Sequence, residues 1–278
     1  MRVLLTNDDG LRAPGIEALH AALLDQAGTL GGPLAETVVT IAPLTVQSAT
    51  SHGVTFHQPL MISDIQVSPL MRGIAVDGRP ADCVKLAVTS LWPERFGKFT
   101  RPDLVISGMN DGANVGINVI YSGTVAAALE AAFLGVPSIA VSLHRGTRPT
   151  RFDLAARHGR RAIEAILAAG SLAPHTCLSV NIPRMEEGGP LEDELEIRVC
   201  PMNTHGLNDS YERRVSPGGD VYYWASGHGL DFRETDAGSD VQWLFKRAIT
   251  VTPLMYDLTR HDSLPEWIAR LEGESPAP

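Results

Sequence analysis

Two adjacent carboxylates, Asp8 and Asp9, follow the apolar run Val3-Leu4-Leu5-Thr6 after a single Asn7, and Gly10 comes next. A strand that is apolar throughout is one buried on both faces, so its end delivers both carboxylates to the rim of a sheet. With no Cys or His beside them, paired carboxylates favour a hard cation such as Mg²⁺, Mn²⁺ or Ca²⁺ over zinc. The competing reading is a solvated Asp-Gly turn with an Asp helix cap, which the same residues satisfy.

Two further segments carry oxygen and amide donors. Ala42-Pro43 leads into a small, hydroxyl-rich loop, residues 44–53, that contains Ser48. The run Leu104-Val105-Ile106 leads through Ser107-Gly108-Met109-Asn110 and Asp111-Gly112-Ala113-Asn114-Val115-Gly116 to Tyr121-Ser122-Gly123-Thr124 at the mouth of a helix. Glycines let backbone approach a ligand, and Asn offers an oxygen to a cation and an N–H to an anion. The Ser122-Gly123-Thr124 entry adds free helix N-terminal amides and two hydroxyls, groups that serve capping and anion binding alike. Asp8, Asp9, Ser48, Asn110 and the Ser122 turn thus combine an oxygen-rich cation site with an anion cradle, which points to phosphate chemistry. The chain has no G-x-x-x-x-G-K-[ST] loop, no G-x-G-x-x-G fingerprint and no G-x-S-x-G elbow, so ATPase, dinucleotide dehydrogenase and serine hydrolase chemistry are unsupported.

The elements that must position these residues alternate as strand and crossover helix. Apolar runs at residues 3–6, 38–41, 74–76, 104–106, 139–141 and 178–180 read as parallel strands, with helices at residues 15–27, 79–92, 122–134 and 151–169. This predicts a doubly wound, three-layer α/β sandwich with a mostly parallel, Rossmann-like sheet. Its ligands collect beyond the carboxyl ends of the strands, where every motif above falls. After Pro183 the character changes. A charged connector, residues 185–194, precedes runs at 195–199 and 221–224 that alternate like antiparallel strands, with a late strand at 248–252 and a short helix at 264–271. Residues 1–184 are therefore expected to form the catalytic core, and 185–278 β-hairpin arms and a terminal helix that serve oligomerisation within the same domain. Tyr222, Tyr223 and Trp224 read as interface before base-stacking platform.

Composition bounds the partners. A chain of 278 residues with 44% hydrophobic content supports a sizeable core, and its net charge of −9 gives nucleic-acid backbone no positive surface to bind. An anionic substrate is admitted only where a cation reverses the local field. Cys83, Cys177 and Cys200 are far apart and form neither a disulfide framework nor a zinc cluster. Carboxylates interrupt the first residues before a secretory segment develops, and Glu130 interrupts the most apolar later stretch, so a cytoplasmic protein without a membrane partner is expected. His52, His57, His205 and His228 are scattered and read as surface or packing residues.

The residues carrying the site recur in one known family. Thr6-Asn7-Asp8-Asp9-Gly10, Gln47-Ser48-Ala49, Val76-Asp77-Gly78-Arg79-Pro80-Ala81-Asp82-Cys83-Val84, Ser107-Gly108-Met109-Asn110, Gly112 to Gly116, Tyr121 to Val125, Val180-Asn181-Ile182-Pro183, Tyr222-Tyr223-Trp224 and Thr235-Asp236 stand in its order. The sequence resembles the stationary-phase survival protein family, SurE, metal-dependent 5′(3′)-nucleotidases. The turn Ser216-Pro217-Gly218-Gly219 resembles the family's Asp-Pro-Arg-Gly turn but lacks its charges. The resemblance implies one divalent cation per subunit, Mg²⁺ or Mn²⁺, held by Asp8, Asp9, Ser48 and Asn110, with Asn114, Ser122, Gly123 and Thr124 on the phosphate. It also implies nucleoside 5′-monophosphate substrates, 3′-monophosphates beside them, and a side activity on short polyphosphate. The expected reaction is hydrolysis by metal-activated water, with Asp8 or Asp9 orienting that water. The rivals are an aspartyl-phosphate phosphatase and a non-catalytic nucleotide sensor. A homodimer or homotetramer is the expected assembly.

Overall fold

In the computed structural model, which describes residues 1–190, 194–226 and 230–273, strand β1 (Arg2–Thr6) opens the chain with its apolar residues buried. Helix α1 (Pro14–Leu24) starts on Pro14, whose missing N–H costs nothing at a first turn. It stops short of Ala27 because Asp25 takes a left-handed backbone and gathers the amides of Thr29, Leu30 and Gly32 on its carboxylate. Strands β2 (Thr37–Pro43), β3 (Ile62–Ser68) and β4 (Met71–Val76) follow. Helix α2 (Pro80–Leu86) then runs through a π-turn, Ala87–Leu91, into α3 (Trp92–Phe96). Strand β5 (Leu104–Asp111), helix α4 (Gly123–Phe133), strand β6 (Ser138–Leu143), helix α5 (Phe152–Ala168) and strand β7 (Cys177–Ile182) complete the alternation. Beyond lie β8 (Ile197–Val199), β9 (Ser210–Val215), β10 (Val221–Ser226), α6 (Asp240–Phe245), β11 (Ile249–Leu254) and α7 (Leu264–Glu272).

Nine strands form one sheet in the order β3-β4-β2-β1-β5-β6-β7-β11-β8. From β4 to β7 all neighbours are parallel, while β3 runs antiparallel to β4 and β11 antiparallel to β7. The chain winds outward from β1 through β2 to β4, then resumes on the other flank at β5, so the strand order reverses beside β1. This makes the protein a doubly wound α/β sandwich, with the crevice for ligands at the carboxyl ends of β1 and β5. The alternation of β1 sorts its side chains: Val3 and Leu5 pack into the core that holds Leu19 of α1 and Ile163 of α5, and Leu4 into the one that holds Val84 of α2 and Ala127 of α4. Both faces are thereby covered.

The outer parts differ from the sequence pattern. Strand β3 was not expected, because an edge strand exposed along much of its length carries no continuous apolar run. Residues 197–199 do not belong to an antiparallel arm; β8 pairs in parallel with β11, and β11 extends the main sheet against β7. The arm is instead the hairpin β9–β10, which is exposed at every residue on both strands. The charged, exposed Ser210–Val215 strand has no period for a sequence to display. His228 and residues 191–193 of the connector lie outside the described residues. No helix among those described is long and apolar enough to cross a membrane.

Helix α1 lies so close to β5 that a Cβ on Gly15 would stand 2.1 Å from the Met109 carbonyl oxygen and 3.3 Å from the Phe152 ring. Gly15→Ala must therefore push backbone apart, and it is expected to lower unfolding stability in urea by about 1–3 kcal/mol, the usual cost of overpacking.

Candidate functional site

Asp8 continues the β1 alternation toward the α4 side. Its carboxylate is 4% exposed and accepts the Thr124 hydroxyl. Gly123, the first residue of α4, fits against it only because it has no side chain: a Cβ there would stand 2.9 Å from Asp8 Oδ2. Ser122 caps the helix, its hydroxyl oxygen accepting the Val125 amide at 3.1 Å, and keeps its own proton to donate. Both the Thr124 hydroxyl and its backbone amide are turned to the Asp8 carboxylate, so Thr124 serves Asp8 first. Burial raises the Asp8 pKa to about 6; the Thr124 bond opposes the rise and the neighbouring Asp9 adds to it.

Asp9 turns to the other side. Its carboxylate accepts the Asp111 amide at 2.9 Å, which ties the end of β1 to the end of β5. Burial lifts its pKa too, against that amide bond; the Asp111 charge adds to the rise and Arg145 subtracts from it. Arg145 itself reaches Asp111 at 3.8 Å from a largely exposed position. Asn110 donates its amide nitrogen to Gly112 O at 2.7 Å, which leaves its carbonyl oxygen as the end available to a cation. Ser48 is exposed, and its loop is fastened beside Asp8 by the Gln47 amide, 2.8 Å from the Asp8 carbonyl. Asn114 is pinned from three sides: its amide donates to Asn181 Oδ1, its side chain to the Ser142 hydroxyl, and its carbonyl accepts Asn181 Nδ2.

The donor set fits a hard cation. Two carboxylates with raised pKa values stand together, and no cationic side chain hydrogen-bonds to either one. Among the described residues no three His, Cys, Asp or Glu side chains converge, so an oxygen shell here would need neutral oxygens such as those of Ser48 and Asn110.

Several positioning residues are absent from the sequence reading. Glu130, which there only breaks an apolar stretch, is a buried carboxylate on α4 that binds His52 at 2.8 Å and Lys85 at 3.1 Å. Burial opposes its ionisation, but these two bonds outweigh it and hold its pKa below the usual range. Ser51 adds a bond to the Ile120 carbonyl, and Thr55 bonds Asp82 through both amide and hydroxyl. The loop bearing Ser48 is thus strapped to α4 and α2. Asp82 also caps α2 by accepting the Arg79 amide. Under the Asn114 loop, Asp240 accepts the amides of Gly116, Asn203 and Val241. His144 is buried and neutral: burial lowers its pKa to about 4, aided by Arg184. His205 and His57 lie outside the cluster; His205 pairs with Asp236.

A doubly wound α/β sandwich with an oxygen-donor cluster at its switch point is the class that fold and site define. The family model described as Survival protein SurE matches residues 3–208, and the chain belongs to that family. Similar proteins include the 5′-nucleotidase SurE of Syntrophobacter fumaroxidans, 40% identical over 96% of this chain and 99% of that one. The 5′-nucleotidase SurE of Heliobacterium modesticaldum is 41% identical over 99% and 93%. The crystal structure of the SurE protein from Aquifex aeolicus superposes with a TM-score of 0.76 at 32% identity, covering 98% of this chain and all of that one.

Two outcomes follow from the site's electrostatics. A carboxyl whose pKa rises from 3.8 to about 6 on folding favours the protonated form, so its charge destabilises the metal-free fold above that pH and ceases to do so below about pH 4. Asp8→Asn is therefore expected to stabilise the chelator-treated protein at pH 8 by about 1–3 kcal/mol, the gain vanishing near pH 4, as read by urea unfolding at both pH values. Glu130→Ala is expected to speed amide hydrogen exchange in residues 48–55 by about ten-fold while the β1 and β5 amides keep their protection.

Proposed function

We propose that the chain is a divalent-metal-dependent phosphatase that hydrolyses nucleoside 5′-monophosphates to nucleoside and phosphate. The observation that carries this reading is the adjacent carboxylate pair at the end of β1, Asp8 against the N-terminus of α4 and Asp9 against the end of β5, with no protein cation hydrogen-bonded to either. The relatives named 5′-nucleotidase support the same activity. Asp8, Asp9, Ser48 and Asn110 would hold Mg²⁺ or Mn²⁺, one ion per subunit. Such an ion supplies a Lewis acid for a phosphoryl oxygen and lowers the pKa of water.

The chain's own groups do the rest. The Gly123 amide and the Ser122 hydroxyl would meet the equatorial oxygens at the start of α4, where the helix dipole favours negative charge, with Thr124 adding to the cradle through Asp8. Asn114, held by Asn181 and Ser142, presents its remaining amide hydrogen. Asp9 would orient the attacking water; the water's oxygen bonds phosphorus as the ester P–O bond breaks, one of its hydrogens stays on the phosphate, and the other passes to the leaving oxygen to give the nucleoside hydroxyl. An aspartyl-phosphate route needs a carboxylate free to point in line at phosphorus, and both here are wanted as ligands. Because the cradle addresses only the phosphoryl group, the reading extends to 3′-monophosphates and, as a side activity, to short polyphosphate.

The assembly we assign is a homodimer or homotetramer. A two-stranded hairpin exposed on both faces is marginal alone, and β9–β10 carries Tyr211, Tyr222, Tyr223 and Trp224 in the open. Helix α7 likewise exposes Leu264, Trp267, Ile268 and Leu271 at helical spacing. Free, buried cysteines suit the reducing cytoplasm.

Phosphate release from 5′-AMP with Mn²⁺ is expected, with its loss on adding EDTA. Asp9→Asn is expected to cut turnover at saturating Mn²⁺ by about 10³-fold or more. Near-normal turnover of that variant overturns the site assignment, and acid-stable phosphate trapped on Asp8 or Asp9 overturns the route.

A further inference from the structure

We propose that the cleft on the α1 and α5 side of Asp9 receives the nucleoside of the substrate, with the base against Leu44, Val46 and Phe152. The inference rests on the phosphatase reading and adds where the leaving group lies and what recognises it. The leaving oxygen is one bond from phosphorus, so the nucleoside has to lie in space continuous with the phosphoryl site. On the α4 side the backbone crowds Asp8. The Gly123 backbone lies so near Asp8 and Pro80 that even a methyl group there would stand 2.9 Å from one and 3.1 Å from the other.

On the opposite side the structure is open. A cleft of about 380 Å³ is lined by Asp9 and Asp111 together with Arg12, Leu44, Val46 and Phe152. That volume lies within the range of about 300–1,000 Å³ usual for small-ligand sites. The other principal clefts, beside His20, Arg161, Arg184 and Met202, include none of the site residues. Leu44 and Val46 are 46% and 63% exposed next to a strongly polar site, and nothing among the described residues covers them. Phe152, at the start of α5, supplies an aromatic surface to the same cleft. A planar base meets such walls with its faces and leaves its polar edge free. Arg12 is exposed, has no ion-pair or hydrogen-bond partner among the described residues, and lines the cleft with a planar guanidinium suited to that edge.

The test compares 5′-AMP with ribose 5-phosphate, the same ester without a base, by kcat/KM under Mn²⁺. Leu44→Asp, which sets a carboxylate against the base, is expected to reduce the preference for AMP over ribose 5-phosphate by about ten-fold or more, chiefly through the KM for AMP. Arg12→Ala, a change at an exposed and unpaired side chain, is expected to reduce it by about three-fold. Using the ratio cancels any general effect of added charge on the phosphoryl site. An unchanged ratio in both variants overturns the proposal, as does a wild-type enzyme that turns over the two esters equally well. A wild-type protein that releases phosphate from neither ester fails at the phosphatase reading itself, and the cleft assignment falls with it.

Discussion

One electrostatic constraint governs this structure: the Asp8 carboxylate is held almost out of reach of water, and no basic side chain bonds to it. Moving a charge out of water is costly unless something answers it. Here the answer inside the chain is partial, consisting of the Thr124 hydroxyl, nearby backbone amides and the positive end of the α4 dipole. The neighbours follow from that position. Strand β1 must be apolar on both faces to carry the aspartate so far in, and residue 123 must be glycine for the helix to approach. The remaining deficit of positive charge is one that a hard cation bound between β1 and β5 would offset.

The loops around this point have no ladder of their own to hold them. Buried carboxylates and amides at the corners take that role, accepting backbone N–H groups that would otherwise lack a partner. Asp82 serves α2 and Thr55 together; Asp240 gathers three amides under the Asn114 loop; Asn181 exchanges two hydrogen bonds with Asn114. Glu130 does the equivalent through side chains, joining His52 and Lys85. Such acceptors fix loops more tightly than their exposure suggests.

How much of this could be read from sequence depended on how local the cause was. The β1 run with its two aspartates, and the Ser-Gly-Thr entry of α4, declare themselves because strand burial and helix capping act within a few residues. The Glu130 clasp does not: its partners stand 45 and 78 residues away, and an acidic residue in an apolar helix looks the same whether it faces water or a buried cation. The edge strands were the least legible. Strand β8 is only three residues long and finds its neighbour β11 across some fifty positions, while β9 shows no alternation because neither of its faces is buried. The sequence motifs also named Asn114 and Thr124 without revealing that the protein already uses part of each, on Ser142 and on Asp8.

Adjacent aspartates that turn to opposite sides make the sheet a partition. On the α2 and α4 side lie the helix terminus and the close approach of its backbone to Asp8. On the α1 and α5 side lie an open cleft and exposed aliphatic residues whose identity the core does not dictate. The two compartments share one wall but almost no side chains. Substitutions in the roomier compartment are therefore insulated from the packing of the tighter one, so the two sides of the partition can be varied separately.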